Sequence, residues 1–403
     1  MQASDHSGQF FDLHAMKERY YADPHAVLRE LREAGPVHRV RTPSGDPAWL
    51  VVGLDEIRAV LTEPTMSSDL GHWAGLPEEE RGGSSILGML TCDEPRHREL
   101  RNLAAGAFAP SRVARFLPRV EAVAAELLDA VGHAPEAELV EQFAYPLAIT
   151  VITELLGVPH LDRAAFRAWT NATVTDGDGE GVIAASREHV RQVVREKLDR
   201  PGDDLLTEMI NAEVDGAPAM SFEELVSMTY LLLIAGHEST TNLIANTTLT
   251  VLEDPGLRAR VLAGEVPVEQ LVEESLRFDP PLMLSTGRFT TEPLTVGGVG
   301  IPGGGEPVLL AYAAAERDPA EFAEPDRFCP ARRIRRSLAF GGGKHYCIGP
   351  ALARAEATTA LRALFDRFPG LTLLEPASRW RSTVTRGVRR LRVGLGAAPA
   401  RSS

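Results

Sequence analysis

Residues able to do chemistry concentrate in a few short stretches, and FGGGKHYCIG (residues 340–349) holds the most reactive of them. Cys347 is one of three cysteines, with Cys92 and Cys329, in a chain of 403 residues. A thiol in such a loop can be a buried spectator, half of a disulfide, a nucleophile or a metal ligand. The cysteines are widely spaced with no CxxC, which matches no zinc spacing and suits a reducing compartment. A nucleophile would want a positioned base and an oxyanion hole, and His345, two residues away, leaves that arrangement open. The run Gly341–Gly343 predicts positive φ and close backbone approach to something large and flat. A helix expected from about Pro350 would favour a thiolate through its dipole and free N–H groups.

Three other stretches carry groups of matching kinds. AGHESTTN (residues 235–242) places an acid, Glu238, beside an alcohol, Ser239, which is the equipment for relaying protons. DEPRHRELR (residues 93–101) puts His97 and Arg101 four apart on one helical face, able to clamp a pair of carboxylates or simply to be a solvated basic face. Arg288 stands at the entrance to a strand. In EESLR, Glu274 and Arg277 form an i,i+3 pair worth about 0.2–0.5 kcal/mol if exposed. If that pair is buried, its charges must be fully paired, with Arg327 of PDRF a candidate third member. A single axial thiolate on haem iron needs one cysteine, which removes the objection that there are too few for zinc or iron–sulfur.

The elements that must position these groups are mainly helical. Ser221 followed by Glu224 is a capping box, and the helix it opens can run to about Glu253, roughly 30 residues and on the order of 45 Å. Such a helix crosses the whole molecule with Gly236 in its middle, either a close packing point or a loosened ladder that opens a groove. From about Pro95 to Leu276 the pattern is mostly helical, with a helix opening at Asp93/Pro95. Helix returns at 350–368, with Leu361, Leu364, Phe365 and Phe368 on one face. Strands are expected at His38–Thr42 and Trp49–Gly53, joined by a turn, and between Phe289 and Leu310. Residues 70–85 and 201–220 read as polar loops, covers over a pocket. No linker or repeat divides residues 1–403, so a single large domain, mainly α with small β-sheets, is expected.

Composition sets the partners. At 44% hydrophobic and 24% charged the chain is ordinary globular protein. A net charge of −14 argues against nucleic acid or anionic membrane as the main partner. No apolar stretch approaches a membrane span and the first ten residues hold no leader, so a cytoplasmic protein is expected.

Taken together and in order, these segments resemble the cytochromes P450, haem-thiolate monooxygenases, and in particular their soluble bacterial members. FGGGKHYCIG fits the family's FxxGxxxCxG loop through Phe340, Gly343, Cys347 and Gly349, and EESLR fits its ExxR. PDRF fits the segment supplying a third member to that cluster. AGHES fits the oxygen-activating turn, DEPRHRELR the propionate-clamping helix, and AERDP (residues 315–319) another recurring segment. The resemblance implies the P450 fold, with the long central helix crossing over haem b. It implies Cys347 as iron ligand, Phe340 shielding the sulfur, and His97, Arg101, Arg288 and His345 on the propionates. Glu238 and Ser239 would deliver protons for O2 cleavage, while Glu274, Arg277 and Arg327 would brace the cysteine loop. The implied activity is insertion of one oxygen atom from O2 into a small hydrophobic substrate, by hydroxylation or epoxidation, in secondary metabolism such as antibiotic biosynthesis. Ring coupling or desaturation on the same scaffold, and a haem-thiolate sensor without turnover, are the alternatives.

About 50 residues follow the cysteine loop, too few for a reductase domain, so a ferredoxin and a ferredoxin reductase are the expected electron donors to a monomer. The run Arg332, Arg333, Arg335 and Arg336 is a solvated loop or a docking patch for an acidic ferredoxin. Pocket lining is expected from Ile86, Leu87, Leu232, Ala235, Leu282, Met283, Leu284 and Val384, mostly apolar side chains that name no ligand. Two positions depart from the family. Ser239 replaces the usual threonine, which predicts looser water placement and wasted reducing equivalents. Ser337 stands where relatives often carry histidine, which predicts one propionate contact fewer.

Overall fold

The computed structural model describes residues 10–76, 88–158, 166–169 and 180–396. Its axis is the helix Phe222–Glu253, 32 residues long and about 48 Å at 1.5 Å per residue. Ser221 caps it through a complete capping box, its hydroxyl meeting the Glu224 N–H while the Glu224 carboxylate accepts from the Ser221 N–H. Such a cap contributes about 1 kcal/mol. The central helix is buried nearly all round because Tyr145–Leu156, Glu180–Asp199, Val268–Phe278 and Pro350–Arg367 pack against it. It runs unbroken through Gly236. A Cβ there would come within 2.7 Å of Ile152 on the neighbouring helix, so the glycine serves close helix packing and does not interrupt the ladder.

The helix Pro350–Arg367 buries Leu361, Leu364 and Phe365, and Phe368 just beyond it, in the main core. Each such side chain contributes about 2 kcal/mol through the apolar area removed from water. The principal sheet has six strands in the order Phe10–Asp12, Val37–Arg41, Pro47–Val51, Pro307–Leu310, Arg288–Thr290, Met66–Ser67. Alternation divides its side chains. Trp49 and Val51 face one apolar cluster with Leu54, Ile57 and Val308, while Ala48 and Leu50 face another with Leu13, Tyr20, Leu28 and Leu31. Both expected N-terminal strands form, joined by a turn in which Gly45 takes φ 110°.

Two expectations change. Segment 201–220 is no loose cover: it folds into the helix Leu205–Ile210, capped by Asp204, and the hairpin Glu213–Val214/Ala217–Pro218 turned by Asp215 and Gly216 at positive φ. Leu205, Leu206 and Met209 are buried in the main core. Asp93 does not cap the helix Arg96–Ala105, because its carboxylate is taken by Ser67, Ser68 and Lys344. Among the described residues no helix is long and apolar enough to cross a membrane.

Candidate functional site

Cys347 lies on a tight loop whose geometry its neighbours dictate. Its N–H donates to the Phe340 carbonyl at 3.0 Å, and Gly343–His345 form a short 3-10 turn. Gly341 and Gly343 take φ of 69° and 64°, as expected, but what they approach is protein. A Cβ at Gly343 would sit 2.3 Å from the Leu61 carbonyl oxygen, and one at Gly341 would sit 3.3 Å from the Tyr312 hydroxyl. Gly342 and Gly343 seat the loop against Leu61, at the end of the helix Leu54–Thr62. The Cys347 thiol is free. Burial pushes its pKa up, while the Gly349 N–H at 3.4 Å from Sγ and the charges of Arg101 and Arg354 pull it back. Phe340 is held by Arg354, whose guanidinium lies 4.4 Å from the ring centroid and pairs with Glu273.

Around this loop the fold gathers buried nitrogens that lack a hydrogen-bond partner. The His97 and His345 rings meet with centroids 4.2 Å apart, tilted at 49°. Nε2 of His97, Nε2 of His345 and Nε of Arg288 are buried without a hydrogen-bond partner. Burial and the nearby Arg288, His97 and Lys344 charges push the His345 pKa down to about 3. Arg288 donates to Ser68 and leaves its strand buried. Arg101 sits one turn beyond His97, partly buried. Unpaired buried polar groups cost about 1–3 kcal/mol each, and a guanidinium N–H beside two imidazoles that can each present an N–H fits an anionic group such as haem carboxylates.

On the central helix, the Ser239 hydroxyl donates to the Ala235 carbonyl at 2.9 Å, and Ala235 is exposed in a run flanked by buried residues. Glu238 is buried, with Asn242 Nδ2 donating to Oε1 at 3.2 Å and Arg167 Nη1 3.5 Å from Oε2. Burial pushes the Glu238 pKa up, against the pull of Arg167.

Glu274 and Arg277 are wholly buried and doubly bonded, at 2.7 and 2.8 Å. Arg277 also donates to the carbonyls of Glu316, Pro325 and Arg327. The third guanidinium is not that of Arg327, whose side chain is 69% exposed and pairs with Glu324. Arg327 supplies only its carbonyl. Arg332 takes the place, its Nε 3.4 Å from Glu274 Oε1, and the Cys329 N–H donates to the same oxygen at 2.7 Å. Arg332 therefore leaves the exposed basic run, which is reduced to Arg333, Arg335 and Arg336.

The family model described as Cytochrome P450 matches residues 267–375. Cytochrome P450 monooxygenase PikC of Streptomyces venezuelae is 42% identical over 92% of this chain and 90% of its own. The 6-deoxyerythronolide B hydroxylase of Saccharopolyspora erythraea is 39% identical over 94% of this chain and 97% of its own. The chain belongs to the cytochrome P450 family. The solved structure of tirandamycin C-bound P450 monooxygenase TamI superposes with a TM-score of 0.86 at 35% identity, covering 96% of this chain and all of that one. The mainly α P450 fold and its haem-thiolate chemistry with O2 follow from that membership.

Other parts of this P450 depart from the sequence expectation. Met283 and Leu284 are buried in the core with Leu13, Tyr20 and Leu28, so their side chains support the wall rather than form it. Leu282 is 41% exposed, and Val384 packs partly on the same cluster while its carbonyl accepts from the Met283 N–H at 2.8 Å. Leu232 is buried in the central helix, and Ile86 and Leu87 lie outside the described residues. Ser337 faces Glu316, donating to its carboxyl at 3.0 Å. Burial pushes that carboxyl up to about 7. Sequence reasoning missed Arg354, Tyr312, Arg332 and the Lys344–Asp93 link, at 3.0 Å, that ties the cysteine loop to the His97 segment. Lys344, Asp93 and Arg332 carried a signal, lying inside segments already singled out.

Proposed function

We propose that this P450 inserts one oxygen atom from O2 into a hydrophobic small molecule of bacterial secondary metabolism, by hydroxylation or epoxidation. The observation that carries the reading is the buried cluster of unpartnered nitrogens on His97, His345 and Arg288, beside the Cys347 loop. Those residues, with Arg101, would hold the haem carboxylates, and Cys347 would be the axial ligand with Phe340 over its sulfur. Gly349 lends the sulfur an N–H. When bound, the haem-thiolate supplies O2 activation and oxygen transfer. The chain's own contribution is to orient it, keep the sulfur in a sheltered loop, and provide protons through Glu238 and Ser239. Glu274, Arg277 and Arg332 brace the loop from the far side.

Relatives named as a mycinamicin IV hydroxylase/epoxidase and a cyclomarin C epoxidase, each 36% identical, favour this pair of reactions and a natural-product substrate. Ala235 and Leu282 are the exposed described side chains available for its apolar contact. Arg333, Arg335 and Arg336, exposed on the segment leading to the cysteine loop, suit an acidic ferredoxin. Such docking is screened by salt within about 10 Å at 0.1 M. Turnover with surrogate ferredoxin and reductase on a panel of polyketide lactones, read by mass spectrometry, tests the reading. Oxygenated product carrying label from 18O2 is expected. Dehydrogenated or coupled products without label, or none across substrates that bind, would overturn it.

A further inference from the structure

His237 and Glu238 are adjacent on the central helix, both are buried, and each keeps one polar atom without a hydrogen-bond partner. Those atoms, His237 Nε2 and Glu238 Oε2, lie 3.6 Å apart, a few tenths beyond a hydrogen bond and within reach of a small side-chain rotation. The opposite ring nitrogen fixes the tautomer. Nδ1 lies 2.6 Å from the Leu233 carbonyl, which can only accept, so Nδ1 carries the proton and Nε2 is a lone pair. The rings of Tyr145 and Phe166 enclose the imidazole at 5.6 and 5.5 Å. Burial holds it neutral, with its pKa pushed down to about 4.

A lone pair facing a carboxylate oxygen is repelled, whereas one facing a protonated oxygen accepts a hydrogen bond. The two unpartnered atoms are therefore satisfied together only when Oε2 carries a proton. Among the described residues, Arg167, Asn242 and the Glu141 charge also act on this carboxyl. Arg167 Nη1 lies 3.5 Å from the same oxygen, and Arg167 is bonded at 2.8 Å to Glu141. Asn242 donates to the other oxygen, Oε1. Arg167 favours the ionised carboxylate and His237 the neutral acid, and burial sides with the neutral acid.

We propose that His237 is a positioning residue for proton delivery: its Nε2 accepts the Glu238 O–H and holds that acid loaded, turned from Arg167, until the proton is released. The inference rests on the reading of Glu238 as proton donor given above. When the proton leaves toward Ser239, the carboxylate turns to Arg167. A proton taken up from solvent restores the bond to His237, which stays neutral throughout.

The test is infrared titration of the holoenzyme, following the protonated-carboxyl C=O band that disappears in Glu238→Gln. In His237→Phe, which keeps the apolar contacts, the midpoint of that band is expected to fall by roughly one pH unit, a tenfold change in ionisation constant. The alkaline limb of product formed per NAD(P)H consumed should fall with it, and His237→Gln, which retains an acceptor, should restore both. An unchanged midpoint in His237→Phe, or no protonated Glu238 band near neutral pH in wild type, overturns the proposal. If the band shifts but Glu238→Gln couples as wild type, the His237–Glu238 bond stands and the donor role of Glu238 fails.

Discussion

Replacing Arg277 by methionine removes five hydrogen bonds, of 2.7 to 3.2 Å, from a side chain with no exposure. Among the described residues the Glu274 carboxylate is left buried with the Cys329 N–H and the more distant Arg332, and the Glu316 and Pro325 carbonyls lose this donor while the Arg327 carbonyl keeps Arg332. Breaking a buried pair from one side costs about 3–5 kcal/mol, a large part of a typical stability of about 5–15 kcal/mol. Arg332→Ala removes a longer contact and bonds to the Ala323, Glu324 and Arg327 carbonyls, for about 1–3 kcal/mol. Arg327→Ala removes an exposed pair with Glu324 and leaves its carbonyl in place, so about 0–1 kcal/mol is expected. Urea unfolding of the three holoenzyme variants, followed by far-UV circular dichroism, reads the order directly. The reasoning is refuted if Arg327→Ala costs as much as Arg332→Ala, because the third guanidinium would then be the one the structure leaves in solvent.

Glu356 is buried on the helix after the cysteine loop with Oε1 unpartnered, and burial pushes its pKa from 4.5 up to about 8. A raised folded-state value means stabilisation fully present below about pH 4.5 and lost progressively as pH rises to 8, so wild type should weaken across that window. Glu356→Gln should flatten that limb, the full shift of 8 − 4.5 units being worth about 5 kcal/mol; thermal melts from pH 5 to 9 measure it, and parallel curves would count against the assignment. Gly343→Ala must both hold φ near 64° and move a Cβ off the Leu61 carbonyl, so loss of haem content is expected. Gly264→Ala, at φ 71° with open space around it, should lose none. Ser239→Thr restores the methyl that restrains χ1, and product per NAD(P)H should rise; unchanged coupling would remove that explanation.

The long helix was legible because its capping box and its stop before Asp254-Pro255 are local signals, and both hold in the fold. The cysteine loop was legible for the same reason. The hairpin at residues 213–218 carries an Asp-Gly turn at positive φ that could have been read. Other features depend on distant chain segments. Arg332 and Arg327 are both arginines beside a buried acid, and only packing decides which enters. The glycines announce close approach but not what is approached, here the Leu61 backbone. Met283 and Leu284 read as apolar lining, and their burial is set by an N-terminal segment more than 250 residues earlier in sequence, around Leu13, Tyr20 and Leu28. His237 is not legible because what distinguishes it is a buried, unpartnered nitrogen, which sequence cannot display.

The central claim is that Cys347 is the thiolate ligand of a haem held by this fold. The absorption spectrum of the reduced, CO-bound protein tests it most directly, in wild type and in Cys347→Ser, with haem content measured for both. A Soret band displaced strongly to the red in wild type and absent from Cys347→Ser, at comparable haem content, is the predicted result. An undisplaced band in wild type, or a displaced band that survives Cys347→Ser, would contradict it.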